Sequence, residues 1–498
     1  MTAETTGGGA RPDTDDRAMP LGEGTELDRL MEGPEAAHPG QSGFRLVSHG
    51  PEALALRARS ALLAGRSLDV QTYIWHADLT GQYLAHRVLQ AADRGVRVRL
   101  LVDDMDARAK NQGFAALDAH PNIRVRMFNP FESRTGVVSK ILEIAGRFPR
   151  LNRRMHNKTW IADNRIAVVG GRNLGDEYFG GDDEVNFFDL DFAMVGPIVR
   201  DASDSFDRYW NASVVRSMRE LAPDRVNDEE LARIRGILEE AVEEAEASPF
   251  ASVVREDDAV QRLAAGDWPM EWTDTWRFVS DDPEKVRRDG RPQDASRVLS
   301  VLRSAFEEGR ESAVVISPYF VPGPLGSRIL LSAVREGRRV HVLTNSLVAN
   351  DVAAVHGGYT RYRSRLLDGG VGLWELKPQA GRGVPSRAFR TSGASLHTKA
   401  LAVDGRMIFV GSYNLDPRSR FLNCEQGVMA ESGPLAAQLE EIFERQTSGT
   451  HAWKVSRDAR GRLEWTDGEA TWGAEPQATV ARRLQAWLAR VLPVEAQL

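Results

Sequence analysis

The sequence predicts an α/β protein made of two similar lobes, on three observations. Helical and strand signals alternate from Phe44 onward, the order expected of βαβ units. The stretch AADRGVRVRLLVD at 91–103 recurs as AVREGRRVHVLTN at 333–345, so that Gly337 stands 242 residues after Gly95. MHNKTWIAD at 155–163 recurs as LHTKALAVD at 396–404, with His397 241 residues after His156. Two matches at nearly one offset mean a duplicated unit of roughly two hundred residues. Two such copies are expected to pack as a pseudo-two-fold pair.

Residues 1–42 are rich in Gly, Pro, Asp and Glu and poor in large apolar residues, which predicts a disordered leader. The first lobe is expected over 43–224. It begins with a helix over 51–64, the strand LDVQTYIW, the helix LTGQYLAHRVLQAADRG and the strand VRVRLLVDD. The acidic stretch VDDMD at 102–106 is read as a strand end rather than a metal site, because no complementary ligand motif lies nearby. An inter-lobe helical linker is expected over 225–290. Its charged helix starts at Asn227, with Glu230 three residues on, a capping arrangement. Trp268, Trp272 and Trp276 follow at helical spacing and predict a core-facing stripe. The second lobe is expected over 291–498. It ends in a short amphipathic helix carrying Arg482, Arg483 and Arg490, expected to dock on that lobe.

Composition narrows the function. No window approaches the run of about 20 apolar residues that a spanning helix needs. The N-terminus has neither a basic opening nor an apolar stretch, so residence in the cytoplasm is the expectation. Cys424 is the only cysteine, which removes a disulfide framework and a cysteine-based zinc site, and it is expected to be a small buried residue. A net charge of −7 argues against a global grip on nucleic acid.

The repeated stretch carries the chemistry. Both copies read His, one residue, Lys, four residues, Asp, six residues, then Gly, Gly or Ser, one residue, Asn. Side chains two apart on a strand share a face, so His156 and Lys158 project together, as do His397 and Lys399. Asp-Asn and Asp-Gly after each strand signal tight hairpins, and Asn173 and Asn414 then follow the return strands. A histidine that titrates near neutrality beside a fixed cation suits attack on a phosphodiester. Two facing copies would let one histidine attack phosphorus while the other protonates the leaving alcohol. Two lysines and two asparagines would hold the phosphoryl oxygens, without metal or cofactor.

The paired motifs with their Gly-Gly/Ser-x-Asn tails resemble those of the phospholipase D superfamily. GGRNLGDEYF, SPYFVPG, LTNSLVANDVAAVHGGYTRYR and GSYNLDPRSRFLNCE resemble the bacterial cardiolipin synthases that lack N-terminal membrane helices. The resemblance covers about Phe44 to the C-terminus. It implies two α/β/α sandwich lobes with the active site between them. It implies His156 as nucleophile, His397 as general acid and base, and Lys158, Lys399, Asn173 and Asn414 as phosphate ligands, joined by Ser412. Gly171 replaces that serine in the first copy, so a hydroxyl ligand is expected to be missing there. Family histidines are oriented by a downstream carboxylate. Glu425 is the second-lobe match and Asp189 the first-lobe match, with Asp191 an alternative for His156. Asp163 and Asp404 complete the motifs as catalytic candidates, although their turn positions suit bracing the hairpins.

The resemblance leaves the substrate open among lipids and nucleic acids. Residues 134–158 set Arg134, Lys140, Arg147, Arg150, Arg153 and Arg154 among Val137, Ile141, Leu142, Ile144 and Phe148, just before the first motif. A basic amphipathic segment there suits an anionic bilayer, and a nuclease would also want its cations. The preferred expectation is a cardiolipin synthase, peripheral to the inner face of the membrane. Phosphatidylglycerol would be the acceptor, and phosphatidylglycerol or phosphatidylethanolamine the donor. No nucleic acid and no obligate protein partner are expected. The alternatives are a phospholipase D, a nucleic-acid phosphodiesterase and a non-catalytic lipid-binding protein.

Overall fold

Two sheets organise the chain in the computed structural model, which describes residues 17–107, 111–131, 152–287, 296–380 and 393–491. The first sheet runs, edge to edge, Glu271–Thr273, Ser42–Val47, Asp191–Val195, Ile166–Gly170, Thr159–Ala162, Ser67–Thr72, Arg97–Asp103, Ile123–Phe128 and Val215–Ser217. The second runs Trp276–Ser280, Gln426–Glu431, Met407–Gly411, Ala400–Val403, Ser312–Ile316, Arg339–Asn345, Gly372–Leu376, Ala452–Arg457, Leu463–Thr466 and Thr471–Trp472. From Ser42–Val47 in one and Trp276–Ser280 in the other, the order and the direction of pairing repeat strand for strand. The duplication read from the sequence is a duplication of topology.

Alternation along the central strands sends side chains to two different cores. In Thr159–Ala162, Trp160 faces an outer core with Leu54, Leu84 and Val88 from the helices Gly50–Leu63 and Leu79–Asp93. Ile161 faces an inner core shared by both lobes. The helices Ile198–Trp210 and Gly433–Thr447 lie in that inner layer. There Phe206 and Tyr209 join one buried cluster with Leu439 and Phe443. On the far side, the helices Arg297–Glu308, Gly323–Arg335 and Ala353–Asp368 cover the second sheet. Each lobe is thus an α/β/α sandwich, and the two are joined through a continuous apolar core.

Each motif aspartate closes its hairpin. Asp163 and Asn164 have φ of 51° and 59°, and Asp404 and Gly405 have 55° and 57°, the double left-handed pattern of a two-residue turn. The Asp163 carboxylate accepts from the backbone N–H groups of Gly65, Arg66 and Ser67 at 2.8–2.9 Å. Asp404 does the same for Arg310, Glu311 and Ser312 at 2.7–2.9 Å. These bonds tie the hairpin to the start of the neighbouring central strand. The two motif aspartates, catalytic candidates by sequence, are therefore braces at the opposite end of the strand from the histidines.

Three segments differ from expectation. The leader is not disordered throughout, because Glu26–Ala37 is a helix with a capping box between Thr25 and Asp28. Asp28 meets Arg66 and Arg165 at 2.9 and 2.7 Å, and Glu35 also meets Arg165, so tertiary ion pairs hold a segment that composition alone leaves unpaired. The stretch 225–290 is not a separate linker. Its helix Asp228–Ala247, capped by Asn227 as expected, packs on the first lobe, and Glu271–Thr273 extends the first sheet. Trp276–Ser280 then joins the second sheet, so the chain crosses between lobes at 274–275. Nor do Trp268, Trp272 and Trp276 share a helix. Trp272 lies in one edge strand and Trp276 in the other, and Trp268 precedes them in extended chain, donating to Glu52. The C-terminal helix Val480–Val491 does dock on the second lobe. Buried Ala486 and Ala489 face Ala353–Asp368, where Gly357 allows the approach: a Cβ there would fall 2.3 Å from the Ala486 carbonyl.

Loss of three bonds to a charged acceptor predicts that Asp404→Ala lowers unfolding free energy by about 3 kcal/mol. Asp404→Asn should cost less, since asparagine keeps one acceptor and tolerates left-handed φ. Urea titrations of the two variants check the order; equal losses would show that the bonds contribute little.

Candidate active site

The site forms where each lobe lends backbone to the other. The chain just before the first motif pairs in parallel with the second lobe at Met155 and Cys424. His156 N–H donates to Cys424 O at 2.8 Å, and Cys424 N–H to Arg154 O at 2.9 Å. The second motif is entered likewise: strand Gly393–Leu396 pairs in parallel with Val185–Phe188 of the first lobe. The N–H groups of His397 and Thr398 both donate to Phe188 O, at 2.8 and 3.0 Å. Gln426 adds a further tie, donating to Lys158 O and Thr159 Oγ1 across the interface.

This exchange crosses the histidine partners. His156 Nδ1 lies 3.0 Å from Glu425 Oε2 and 3.0 Å from Ser412 O, both in the second lobe. His397 Nδ1 lies 2.6 Å from Asp189 Oδ2, in the first. The sequence pairs each carboxylate with the histidine of its own lobe; the structure pairs it with the other. Asp191, the alternative for His156, is instead buried between Arg57 and Arg172 at 2.9 and 3.2 Å. With each Nδ1 engaged by a carboxylate, each Nε2 is left for chemistry.

Both lysines are buried and donate to the carbonyl of the histidine two residues before, Lys158 at 2.6 Å and Lys399 likewise. Burial lowers Lys158 to about 7 and Lys399 to about 8, with Lys399 adding to the effect on Lys158, against partial support from Glu425 and Asp189. Burial also lowers His156 despite Glu425, and lowers His397 further, with both lysines adding to the effect. Burial alone would raise Glu425, but His156, Ser412 and Lys158 together bring it below its ordinary value. Asp189 moves the other way, raised by burial that Lys399 and Arg172 do not fully offset. The cleft thus holds two buried lysines beside two histidines, groups suited to an anion.

The remaining predicted ligands differ between lobes. Asn173 accepts from Ile74 N–H and donates to Tyr178 Oη at 2.7 Å, whereas the buried Asn414 side chain makes no hydrogen bond among the described residues. The Ser412 hydroxyl is not turned to substrate: it donates to Glu425. Gly171 has no room for the corresponding serine, since a Cβ there would lie 2.1 Å from Asp189 Oδ1. The serine and the glycine therefore serve the carboxylates rather than the phosphate.

Comparison with known proteins fits this arrangement. The family described as "Cardiolipin synthase, PLD-like domain" matches residues 61–210 and again 302–447, once per lobe. The chain belongs to that family. It is 39% identical over 476 residues to cardiolipin synthase C of Escherichia coli K12, covering 92% of this chain and 96% of that one. It is 23% identical to cardiolipin synthase A of Cronobacter sakazakii, over 80% of this chain and 68% of that one. In fold it is similar to phosphatidylserine synthase of Haemophilus influenzae Rd KW20, with a TM-score of 0.60, 13% identity, and coverage of 95% of this chain and 100% of that one.

Beyond the family motifs, several residues shape the site. Tyr73 stands edge-on to His156 with centroids 5.1 Å apart, and Lys158 Nζ lies over its ring. Tyr178 and Phe187 flank His397 at 5.3 Å each. Ser419 donates to the second oxygen of Glu425 at 2.8 Å. Tyr73 and Phe187 lie at or just past strand ends facing the lobe interface, the one signal that could have marked them. In the acidic stretch 102–106, Asp103 ends the strand, holds Arg154 and accepts from Met155 N–H, setting the approach to His156. Arg153 and Arg154 are buried and so do not serve a membrane-facing patch; Arg134, Lys140, Arg147 and Arg150, with the apolar residues among them, lie outside the described residues. Cys424 is buried, its thiol raised by burial. Among the described residues one group could gather round a cation, His76, Asp78 and Glu177, but Asp78 already caps a helix and accepts from Asp176 N–H.

The crossed pairing predicts that Glu425→Gln lowers the pKa of His156 and leaves that of His397 nearly unchanged, while Asp189→Asn acts on His397. Histidine-labelled NMR titrations read both. Each carboxylate acting on its own lobe's histidine would contradict the geometry.

Proposed function

We propose that the protein is a cardiolipin synthase that works through a phosphohistidine. What carries this reading is the likeness to a cardiolipin synthase along nearly the whole chain, in a protein whose two motif histidines meet across one cleft. His156 is the nucleophile. Glu425 accepts a hydrogen bond from its Nδ1–H, which leaves the Nε2 lone pair free, and its negative charge offsets the positive charge that grows as Nε2 bonds to phosphorus. The phosphorus–oxygen bond to the leaving alcohol breaks as the phosphorus–nitrogen bond forms, and His397 gives that oxygen a proton. The bound phosphodiester's negative charge sits between Lys158 and Lys399, which relieves the repulsion that depresses His397 and lets it hold the proton it donates. In the second half, a hydroxyl of phosphatidylglycerol loses its proton to His397, attacks phosphorus, and His156 leaves. A phosphatidylglycerol donor releases glycerol, and phosphatidylethanolamine releases ethanolamine. Asn414, with an uncommitted amide, is the readier phosphate ligand of the two asparagines.

The reaction needs a lipid surface, and an anionic membrane face fits the described surface. No helix among the described residues is long and apolar enough to cross a membrane. The C-terminal helix, docked by its alanines, turns Leu484, Trp487 and Leu488 to solvent, with Arg483 and Arg490 exposed beside them. Trp and Leu between arginines suit the headgroup boundary of an anionic bilayer.

Purified protein given phosphatidylglycerol vesicles, with or without phosphatidylethanolamine and in the presence of chelator, should form cardiolipin detectable by mass spectrometry. Phosphatidic acid alone would make it a hydrolase, and cleavage of DNA or RNA without lipid turnover would make it a nuclease. His156→Ala should abolish the phosphoenzyme, whereas His397→Ala should form it slowly and fail to discharge it. The lysines predict the pH dependence. Their charge is present below about 7 and about 8 and is lost as pH rises through those values, so kcat/KM for the free enzyme should fall above them. Lys158→Arg keeps its charge, and should move the falling limb upward; an unmoved limb would assign it to another group.

A further inference from the structure

An apolar cavity of about 240 Å³ lies in the second lobe between the sheet and the helices Arg297–Glu308 and Gly323–Arg335. Leu302, Phe306, Val315, Leu325 and Ile329 line it. Lys399 and Asp416, at the inner wall of the cleft, line it as well, so the cavity adjoins the place where phosphate would sit. At the partly exposed edge stand Arg420 and Phe421, the guanidinium 4.6 Å from the ring centroid. The Arg420 side chain has no hydrogen bond or ion pair among the described residues.

The equivalent groove of the first lobe differs in what lines it. It lies between Gly50–Leu63 and Leu79–Asp93, the helices on either side of the equivalent central strand. That groove is also open, with a volume of about 550 Å³, but the helices Pro249–Glu256 and Asp258–Ala265 form part of its wall through Phe250 and Leu263, and Lys158 does not line it. No element equivalent to these two helices lines the second-lobe cavity. Of the two grooves only the second-lobe one reaches its motif lysine, Lys399, and it carries Arg420 at its edge. An interior that only hydrocarbon satisfies and an edge that favours anionic or carbonyl oxygens describe an amphiphile site.

We infer that this cavity receives an acyl chain of the phospholipid, with Arg420 taking the lipid's ester oxygens, an inference that rests on the phosphatidyl-transfer reading. Holding a chain beside Lys399 would position the headgroup phosphorus between the histidines and would favour long-chain lipids over short ones.

The full-length protein and its Leu325→Trp variant, which fills the cavity from a partly exposed position, would be compared on dioleoyl- and dihexanoyl-phosphatidylglycerol. Binding of cis-parinaric acid, followed by its fluorescence and displaced with oleate, gives a readout apart from turnover. The variant should lower the dioleoyl-to-dihexanoyl turnover ratio about tenfold and weaken parinaric acid binding by a similar factor, since several methylenes lose their burial. Arg420→Gln should raise KM for both lipids alike. Ile329→Phe serves if Leu325→Trp does not fold, as judged by circular dichroism. An unchanged ratio with unchanged parinaric acid binding in a folded variant overturns the inference alone. Turnover of neither lipid by the parent, with bis(p-nitrophenyl) phosphate still cleaved, overturns the phosphatidyl-transfer reading and this inference with it.

Discussion

The structure depends on the exchange of backbone between lobes at the entrance to each motif. Residues 154–156 bond to Cys424, and residues 393–398 bond to the strand ending at Phe188. Because these ties are main-chain bonds buried at an interface, shifting the lobes leaves polar groups unpaired at a cost of about 1–3 kcal/mol each. The same ties set each histidine against the carboxylate of the other lobe. Neither lobe holds a complete histidine–carboxylate pair, so the chemistry and the lobe interface stand or fall together.

The charge balance follows from this. Two lysines, two histidines and two carboxylates are buried in one cleft, and burying so many ionisable groups is unfavourable unless they are paired. The pairs are incomplete as they stand: the lysines lean on backbone carbonyls and both drop toward neutrality. In the proposed reaction an anionic phosphodiester adds negative charge between them. The inner helices and their apolar core provide the stability against which this burial is set.

The histidines, lysines and asparagines were legible because a duplicated motif repeats its spacing, and spacing on a strand maps directly to a face. The braces Asp163 and Asp404 were half legible: their turn chemistry pointed to the hairpins while their motif pointed to catalysis. The crossing of Glu425 and Asp189 was not legible, because sequence order places each carboxylate after its own lobe's histidine, and only the parallel pairing of 155 with 424 reverses this. The tryptophans misled for a related reason. Spacing of four fits one helical face, but the chain there was recruited to two sheet edges. The helix Glu26–Ala37 escaped notice because its order depends on Arg66 and Arg165, distant in sequence.

One cleft is built from both lobes, and in the proposed reaction His156 attacks while His397 faces it across the phosphate. A crystal structure with orthovanadate tests this most directly. Vanadium bonded to His156 Nε2, with His397 Nε2 on the opposite side and Glu425 still on His156 Nδ1, is the expected result. Vanadium bonded to His397, or His156 turned to Asp189, would contradict it.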